Sequence, residues 1–426
     1  MKREAWLVLD LGFGDAGKGS ITDFLVRDRK VELVVRFNGG AQAGHNVVES
    51  SGRHHTFSQF TAGTLAGAAG LLGPDFVLHP LGMWMEAQHL IEVGVANPWA
   101  RTEVDDRALL ITPYQQAAGR AREVVRGADA HGTCGVGVGE AVGDRIDHPD
   151  DALRAADLHD VGRLRHRLRM QRERKRAELR ALGTHDDIFD DDDLIDRVID
   201  MWGAVADRLQ LRTTRQALTR IANAERVVFE GAQGVLLDQD WGFHPHTTWS
   251  DCTPAGALRL AGDRPVTRLG LTRAYGVRHG AGPFPTEGGV EVQEHHNQGS
   301  GWQGSFRTGA LDGVLLRYAL EVCGGVDALV VTCLDRGRSG SVCHGYRDAH
   351  EPGLGRNDGG LIRSIIPGER GDLDHRERLG RWLRTVEPAI TEADIVAFVH
   401  AATGQRVWLE SLGPTAGDKR WLREPG

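Results

Sequence analysis

Leu7-Val8-Leu9-Asp10-Leu11-Gly12-Phe13-Gly14-Asp15-Ala16-Gly17-Lys18-Gly19-Ser20 is the stretch around which the chain is organised. An apolar run ends in a glycine loop holding one aspartate and one lysine, and a helical pattern from Ile21 to Val26 follows at once. Glycines let backbone N–H groups turn toward an anion, a helix N-terminus adds positive potential, and a lysine neutralises phosphate oxygens. Gly12 to Lys18 fits the P-loop spacing, but Gly19 stands where Ser or Thr should ligate magnesium. Asp15 is a second departure, because a carboxylate inside a phosphate cradle repels its ligand unless a metal or a proton transfer needs it. The expectation is a phosphate-binding loop with an extra chemical group built in. The bland alternative is a plain strand–turn–helix.

At 426 residues the chain can bury a large core, and 40% hydrophobic residues with 56 glycines point to a loop-rich α/β enzyme. A formal net charge of −8 argues against nucleic acid as the main partner. Cys134, Cys252, Cys323, Cys333 and Cys343 show no C-x-x-C spacing, which argues against a disulfide framework or zinc ribbon. Met1-Lys2-Arg3 leads directly into the first strand, leaving no room for a signal peptide, and no apolar run approaches membrane-spanning length. A reducing, cytoplasmic setting without a membrane partner is expected.

Outward from the first loop, Val31 to Phe37 reads as a second strand, closed by a second glycine loop, Asn38-Gly39-Gly40-Ala41-Gln42-Ala43-Gly44-His45. Gly73 to His79 and Ala108 to Thr112 read as strand fragments flanking a helix over Met83 to Val93. A third glycine loop, Gly132 to Gly139, precedes a block rich in Arg, Asp and Leu. There Leu164, Leu168 and Leu179 mark a strongly basic helix, and the acidic run Asp190 to Asp193 leads a second helix through Trp202. The block reads as a helical cap (149–216) within a single domain spanning 1–426, although a solvated, salt-bridged helix pair explains its charges as well. Strands resume at Arg226 to Phe229, Ala328 to Thr332 and Val407 to Leu409, whereas Arg347 to Arg370 reads as a surface excursion. The fold class is therefore α/β, with a large, mainly parallel sheet and P-loop-like loops gathered at its carboxyl edge.

The ordered series of short motifs is more specific than any one of them. It runs G-D-x-G-K-G (Gly14 to Gly19), R-F-x-G-G-x-x-A-G-H (Arg36 to His45), G-T-x-G-x-G-x-G (Gly132 to Gly139) and F-E-G-A-Q-G-x-L-L-D (Phe229 to Asp238). Gly280 to Glu287, Arg307-Thr308-Gly309-Ala310-Leu311-Asp312, T-x-L-D (Thr332 to Asp335) and Ser411-x-Gly413-Pro414 complete it. In this order the chain resembles the adenylosuccinate synthetases, which couple GTP hydrolysis to joining aspartate onto the 6-position of IMP.

The resemblance implies Mg²⁺ as cofactor, GTP as co-substrate, a nucleotide and an amino acid or amine as partners, and a homodimer. It implies that Asp15 removes the N1 proton of the base and ligates Mg²⁺, with the Gly44 carbonyl as second metal ligand. His45 would polarise the transferring phosphoryl group, and Gln233 would hold the 6-oxygen. Gly14, Asp15, Ala16, Gly17, Lys18, Gly19, Gly44 and His45 would line the GTP phosphates, with Asp335 reading guanine and Ser411 and Gly413 lying against it. Gln42, Thr133, Gln233, Thr248 and Arg307 would bind the purine nucleotide, the two threonines at its 5′-phosphate. Gln233 could instead tie down backbone, and a threonine after glycine often only caps a turn.

Four positions depart from the resemblance. Gly301-Trp302-Gln303-Gly304-Ser305-Phe306 lacks the arginines that clamp aspartate in the family, with Gly304 and Phe306 in their places. The family's His-Asn pair is Ala41-Gln42. The arginine lent by a partner subunit has no clean counterpart, although Arg145 and His148 lie nearby. Cys333 replaces the lysine beside guanine, and the family's R-V-G is Arg278-His279-Gly280. Aspartate on a 6-oxopurine nucleotide is the leading reaction. A paralogous ligase with another amine or base is the nearest alternative, followed by a nucleotide-binding regulator without ligase activity and a plain kinase. His244, His246, His279, His295 and His296 lack a Cys or carboxylate at ligand spacing, which argues against a transition-metal site.

Overall fold

The computed structural model describes residues 3–292, 301–347 and 353–424. Ten strands build the central sheet. They are β1 (Glu4–Asp10), β2 (Leu33–Arg36), β3 (Ala69–Leu72), β4 (Thr102–Asp105) and β5 (Gln210–Arg212). The rest are β6 (Arg226–Glu230), β7 (Thr267–Arg273), β8 (Ala328–Thr332), β9 (Val407–Ser411) and β10 (Lys419–Trp421). Their spatial order is β10-β9-β8-β7-β1-β6-β2-β3-β4-β5, and every pairing is parallel except that of β9 with β10.

The opening apolar run thus becomes a central strand, and its composition follows from its position. Leu7 and Leu9 enter one core cluster while Trp6 and Val8 enter another on the opposite face. A strand covered on both faces needs apolar residues throughout rather than in alternation. Helix α1 (Lys18–Arg29) follows, burying Ile21, Phe24 and Leu25 and carrying Arg27 and Arg29 in its last turn, where cations complement the helix dipole. Because β1, β2, β6, β7, β8 and β9 are parallel, the loops that leave them all open at the same edge of the sheet.

The helix Val161–Ala181 buries Leu164, Leu168 and Leu179 against the helix Leu194–Ala206, in one cluster with Phe60, Leu72 and Val104. Its outward charges pair with the acidic run, Arg172 with Asp192 and Arg176 with Asp190, each at 2.8 Å. Chain immediately after these helices re-enters the sheet as its edge strand β5.

Two local expectations change. The strand near Gly73 lies earlier, at Ala69–Leu72, and Val77–Leu78 pairs separately with Leu109–Leu110. The Gly- and charge-rich Arg347 to Arg370 segment is not only a surface excursion. Gly355–Asp358 and Leu361–Ile365 pair as antiparallel strands in a second sheet with Ser339–Arg347 and Glu387–Asp394. Leu354 and Ile365 are buried there, while the intervening polar residues face outward and mask the strand pattern.

Candidate active site

Three loops meet backbone to backbone at the carboxyl edge. A Cβ on Gly234 would lie 2.1 Å from the Gly12 carbonyl oxygen, and one on Gly40 would lie 2.4 Å from that of Val77. Asn38 stitches two of the loops, accepting from Ala232 N at 2.8 Å and donating to Asp251 O at 2.8 Å. Gly19 is explained by the same crowding. Any side chain there would meet His45 Cβ at 2.8 Å and its carbonyl carbon at 2.9 Å.

Within the first loop, Asp10 is a residue that the motif reading passed over. Its carboxylate accepts from Gly12 N at 2.9 Å, Ala16 N at 2.8 Å and Lys18 Nζ at 2.8 Å. Lys18 and Asp10 are both buried, so the lysine expected to neutralise phosphate already holds a compensating anion. Asp15 adopts φ 62°, next to Gly14 at 95° and near Gly17 at 80°, which turns its carboxylate away from that pair. It meets His279 Nε2 at 2.8 Å instead. Burial pushes the Asp15 carboxyl up, but the His279 hydrogen bond and the charges of His279, Arg273 and Lys18 bring it below its usual range. Asp15 is therefore an anion at neutral pH.

His45 stands on the second loop, where a strand (His45–Val48) begins directly after Gly44. Its Nδ1 lies 2.7 Å from Glu230 Oε1, at the carboxyl end of β6. Glu230 Oε2 also accepts from Ala62 N at 3.2 Å, which fixes the carboxylate. Burial holds the imidazole below its usual pKa, and the Glu230 charge and hydrogen bond only partly offset this. The proton shared with Glu230 resides on Nδ1, leaving Nε2 buried without a protein partner.

Gln233 takes φ 54° in the turn after β6, and its Oε1 is likewise buried and unpartnered. Both amide atoms of Gln42 share that condition. Buried polar atoms left unpaired are costly, so four such atoms on adjoining loops mark a place completed by a ligand. Gln42, Gln233, Thr133, Thr248 and His279 line one cleft of about 930 Å³. Thr133 is exposed, and the N–H groups of Gly132 and Thr133 point to the Glu123 carboxylate at 2.9 and 3.3 Å. Arg307 does not line this cleft. It pairs with Glu287 at 2.7 Å and donates to Gly282 O at 3.1 Å.

The loop expected to hold the amine is lined differently from the rest. Trp302 lies under the Arg120 guanidinium, 5.6 Å from the ring centre, and Gly135 is bare because a Cβ there would meet Trp302 at 2.6 Å. Phe306 packs on His279 with ring centres 4.9 Å apart. Asp335 follows β8 after Cys333, which takes φ 59°, and its exposed carboxylate has Arg336 at 3.4 Å. Across from it, Ser411 Oγ donates to Gly413 O at 3.2 Å, and Ser20 Oγ anchors the same loop through Pro414 O at 3.0 Å.

Among the histidines, His244 Nε2 contacts Gln239 O at 2.8 Å, and Arg384 Nη2 lies 3.0 Å from His246 Nε2. His295 and His296 lie outside the described residues. No cluster of three His, Cys, Asp or Glu suited to a metal ion occurs among the described residues. Asp10, Glu123, Glu230 and the pairing of His279 with Asp15 were not singled out by sequence. Glu230 stands inside the F-E-G-A-Q-G motif and Asp10 inside the opening stretch, whereas Glu123 lies in no motif.

A glycine loop carrying the Asp15 anion, a histidine anchored by Glu230 and a cleft of about 930 Å³ thus stand at one edge of the sheet, and the family match assigns this architecture to carbon–nitrogen ligases. The chain belongs to the adenylosuccinate synthetase family, whose sequence model matches residues 7–361. The adenylosuccinate synthetase of Clostridium perfringens (strain 13 / Type A) is 33% identical over 343 residues, covering 78% of this chain and 77% of that one. That of Marinomonas sp. (strain MWYL1) is 31% identical over 440 residues, covering 98% of each. The fold is that of the fully ligated Plasmodium falciparum adenylosuccinate synthetase, at TM-score 0.77, 19% identity and coverage of 99% and 100%. It is shared with the cyanophage S-2L succinoaminodeoxyadenylate synthetase bound to dGMP and to dATP as energy donor, at TM-score 0.63, 16% identity and coverage of 99% and 96%.

Proposed function

We propose that the protein is a GTP-dependent ligase that phosphorylates the 6-oxo group of IMP or a related purine nucleotide, then displaces the phosphate with the amine of aspartate, giving adenylosuccinate. The observation that supports this most strongly is that Asp15, His45, Gln233 and Gln42 stand on loops leaving the same edge of the sheet, the last three with buried polar atoms that have no protein partner. A phosphate binder needs neither a base nor an acid.

In this reading Asp15 takes the N1 proton, and the resulting 6-oxyanion attacks the γ-phosphorus of GTP. The new O–P bond forms as the β–γ bridging bond breaks, and GDP leaves. Gln233 orients the 6-oxygen, while His45, steadied by Glu230, turns Nε2 to the transferring phosphoryl group. The amine then attacks C6, inorganic phosphate departs, and the surplus amine proton passes to solvent. Thr133 and Thr248 hold the nucleotide's 5′-phosphate and Asp335 reads the guanine of GTP. Asp15 and the Gly44 carbonyl would hold Mg²⁺, a donor set that suits an ion otherwise ligated by phosphates and water. Bound there, Mg²⁺ supplies charge neutralisation for phosphoryl transfer.

A second reading of the amine is favoured by the Trp302 to Phe306 loop. The loop itself carries no cation and the neighbouring Arg307 pairs with Glu287; the guanidiniums against it, Arg120 on Trp302 and Arg273 on Phe306, lie over ring faces. A donor with fewer carboxylates than aspartate fits such a wall. We further read residues 1–426 as one domain with 149–216 as its cap, a homodimer in solution, and cytoplasmic. None of the five cysteines is in a disulfide, which supports a reducing setting.

Phosphate release from GTP tests the function. Release that needs both IMP and aspartate supports it; release with IMP and a different amine selects the second reading. No release under any pairing overturns both and leaves a nucleotide binder.

A further inference from the structure

Lys419 opens the edge strand β10 and turns its ammonium back onto the loop before it. Nζ donates to Gly413 O at 2.7 Å and to Thr415 O at 2.9 Å. An ammonium has three protons and no acceptor, so one N–H remains for a ligand. Around it lie Asp418, Cys333, Asp23 and Asp335, whose charges favour the protonated form. Two of these carboxylates are already engaged. Asp418 accepts from Thr415 N at 2.8 Å and its hydroxyl at 2.7 Å, and Asp23 pairs with Arg27 at 2.9 Å. Asp335 differs, being exposed with only its sequence neighbour Arg336 at 3.4 Å. A donor-only cation and an acceptor-only carboxylate thus border the same loop, one from β10 and one from the turn after β8.

That pairing matches one purine edge and opposes the other. Guanine presents an acceptor at position 6 and donors at N1 and the 2-amino group. Adenine presents a donor at position 6 and an acceptor at N1. We propose that Lys419 is a specificity-determining residue for the phosphoryl donor, giving its third N–H to the 6-oxo group of a 6-oxopurine triphosphate while Asp335 accepts from N1–H. This rests on the reading that Asp335 meets the donor base. Cys333, which stands beside this loop, cannot supply such a charge, and Lys419 supplies it from a strand some eighty residues further along. Burial draws the Lys419 ammonium down to about 8, so the cation persists at neutral pH and is lost as pH rises through that value.

Initial rates of the full-length enzyme with GTP, ITP and ATP test the assignment in wild type, Lys419→Met, Lys419→Arg and Asp335→Asn. Lys419→Met is expected to lower kcat/KM for GTP and ITP by about 10- to 100-fold, the scale of one hydrogen bond to a charged group, while leaving ATP unchanged. Lys419→Arg keeps a cationic donor and retains the preference. The wild-type preference fades as pH rises through about 8, and that of Lys419→Arg does not. An equal loss with all three nucleotides would reduce Lys419 to a loop staple and overturn the inference, as would an unchanged rate with GTP. Asp335→Asn examines the underlying reading separately: an unchanged kcat/KM for GTP in that variant removes the donor base from this site, whatever Lys419→Met does.

Discussion

Glu230 and His45 form a buried pair, Oε1 to Nδ1 at 2.7 Å, in which the glutamate is inaccessible and the histidine only 5% exposed. The carboxylate fixes the tautomer and leaves Nε2 as the one ring nitrogen without a protein partner. Glu230→Gln preserves the shape but removes the charge, so kcat is expected to fall by about 10- to 100-fold with little change in KM for GTP. His45→Asn removes the group itself and is expected to cost about 10²- to 10⁴-fold. Steady-state kinetics of both variants checks this, and full kcat in Glu230→Gln would show that the carboxylate has no positioning role.

Gly19 invites an obvious repair, since serine there would recreate the P-loop magnesium ligand. The site has no space for it, with His45 backbone and Cβ within 3 Å of any added Cβ. Gly19→Ser is expected to lose activity and about 1–3 kcal/mol of stability, as overpacked cores do. Tighter Mg²⁺ dependence with unimpaired melting would contradict this.

Asp10 and Lys18 are buried together at 2.8 Å. Removing one partner strands a charge in a dry environment, so Asp10→Ala is expected to cost about 3–5 kcal/mol in urea unfolding. A loss below about 1 kcal/mol would mean that Lys18 finds another partner or reaches water.

The wall around Phe306 and His279 carries the question of the amine. Phe306→Arg places a guanidinium where two rings now pack at a tilt, centres 4.9 Å apart. If aspartate is the donor, its KM is expected to drop by about tenfold, the scale of a charge-assisted contact. Measured KM for aspartate that rises in the variant, with faster turnover of uncharged amines in the wild type, would point to the second reading.

Glu49 sets an acid limit on stability. The Arg53 hydrogen bond, joined by Arg27, overcomes burial and holds its carboxyl at about 2. Because the folded value lies below the ordinary 4.5, this contribution is complete above that pH and fades as pH falls toward 2. Screening at a partly exposed pair leaves about 1 kcal/mol. The melting temperatures of wild type and Glu49→Gln should therefore differ at pH 6 and converge as pH falls toward about 2.

The sequence by itself located β1, β2, β6, β8 and β9 and the glycine loops that follow the first of them, but not β3, β4, β5, β7 or β10, whose runs are short or broken by polar residues. β8 falls where its apolar run lies, β1 and β6 within a few residues, because a doubly covered strand must be apolar throughout and cannot be disguised. Asp15, His45 and Gln233 were legible because their loops demand glycines at fixed spacing. The second sheet was not, since Gly355–Asp358 buries no residue fully and Leu361–Ile365 only Ile362 and Ile365, among glycines and charges. Only the tertiary structure decided which charges are free. Asp10 takes Lys18, Glu230 takes His45, His279 takes Asp15, and Lys419 reaches back to Gly413. Two of these pairs, Glu230 with His45 and His279 with Asp15, join residues far apart in sequence, and a charge's availability to substrate depends on the few ångströms that folding sets between partners.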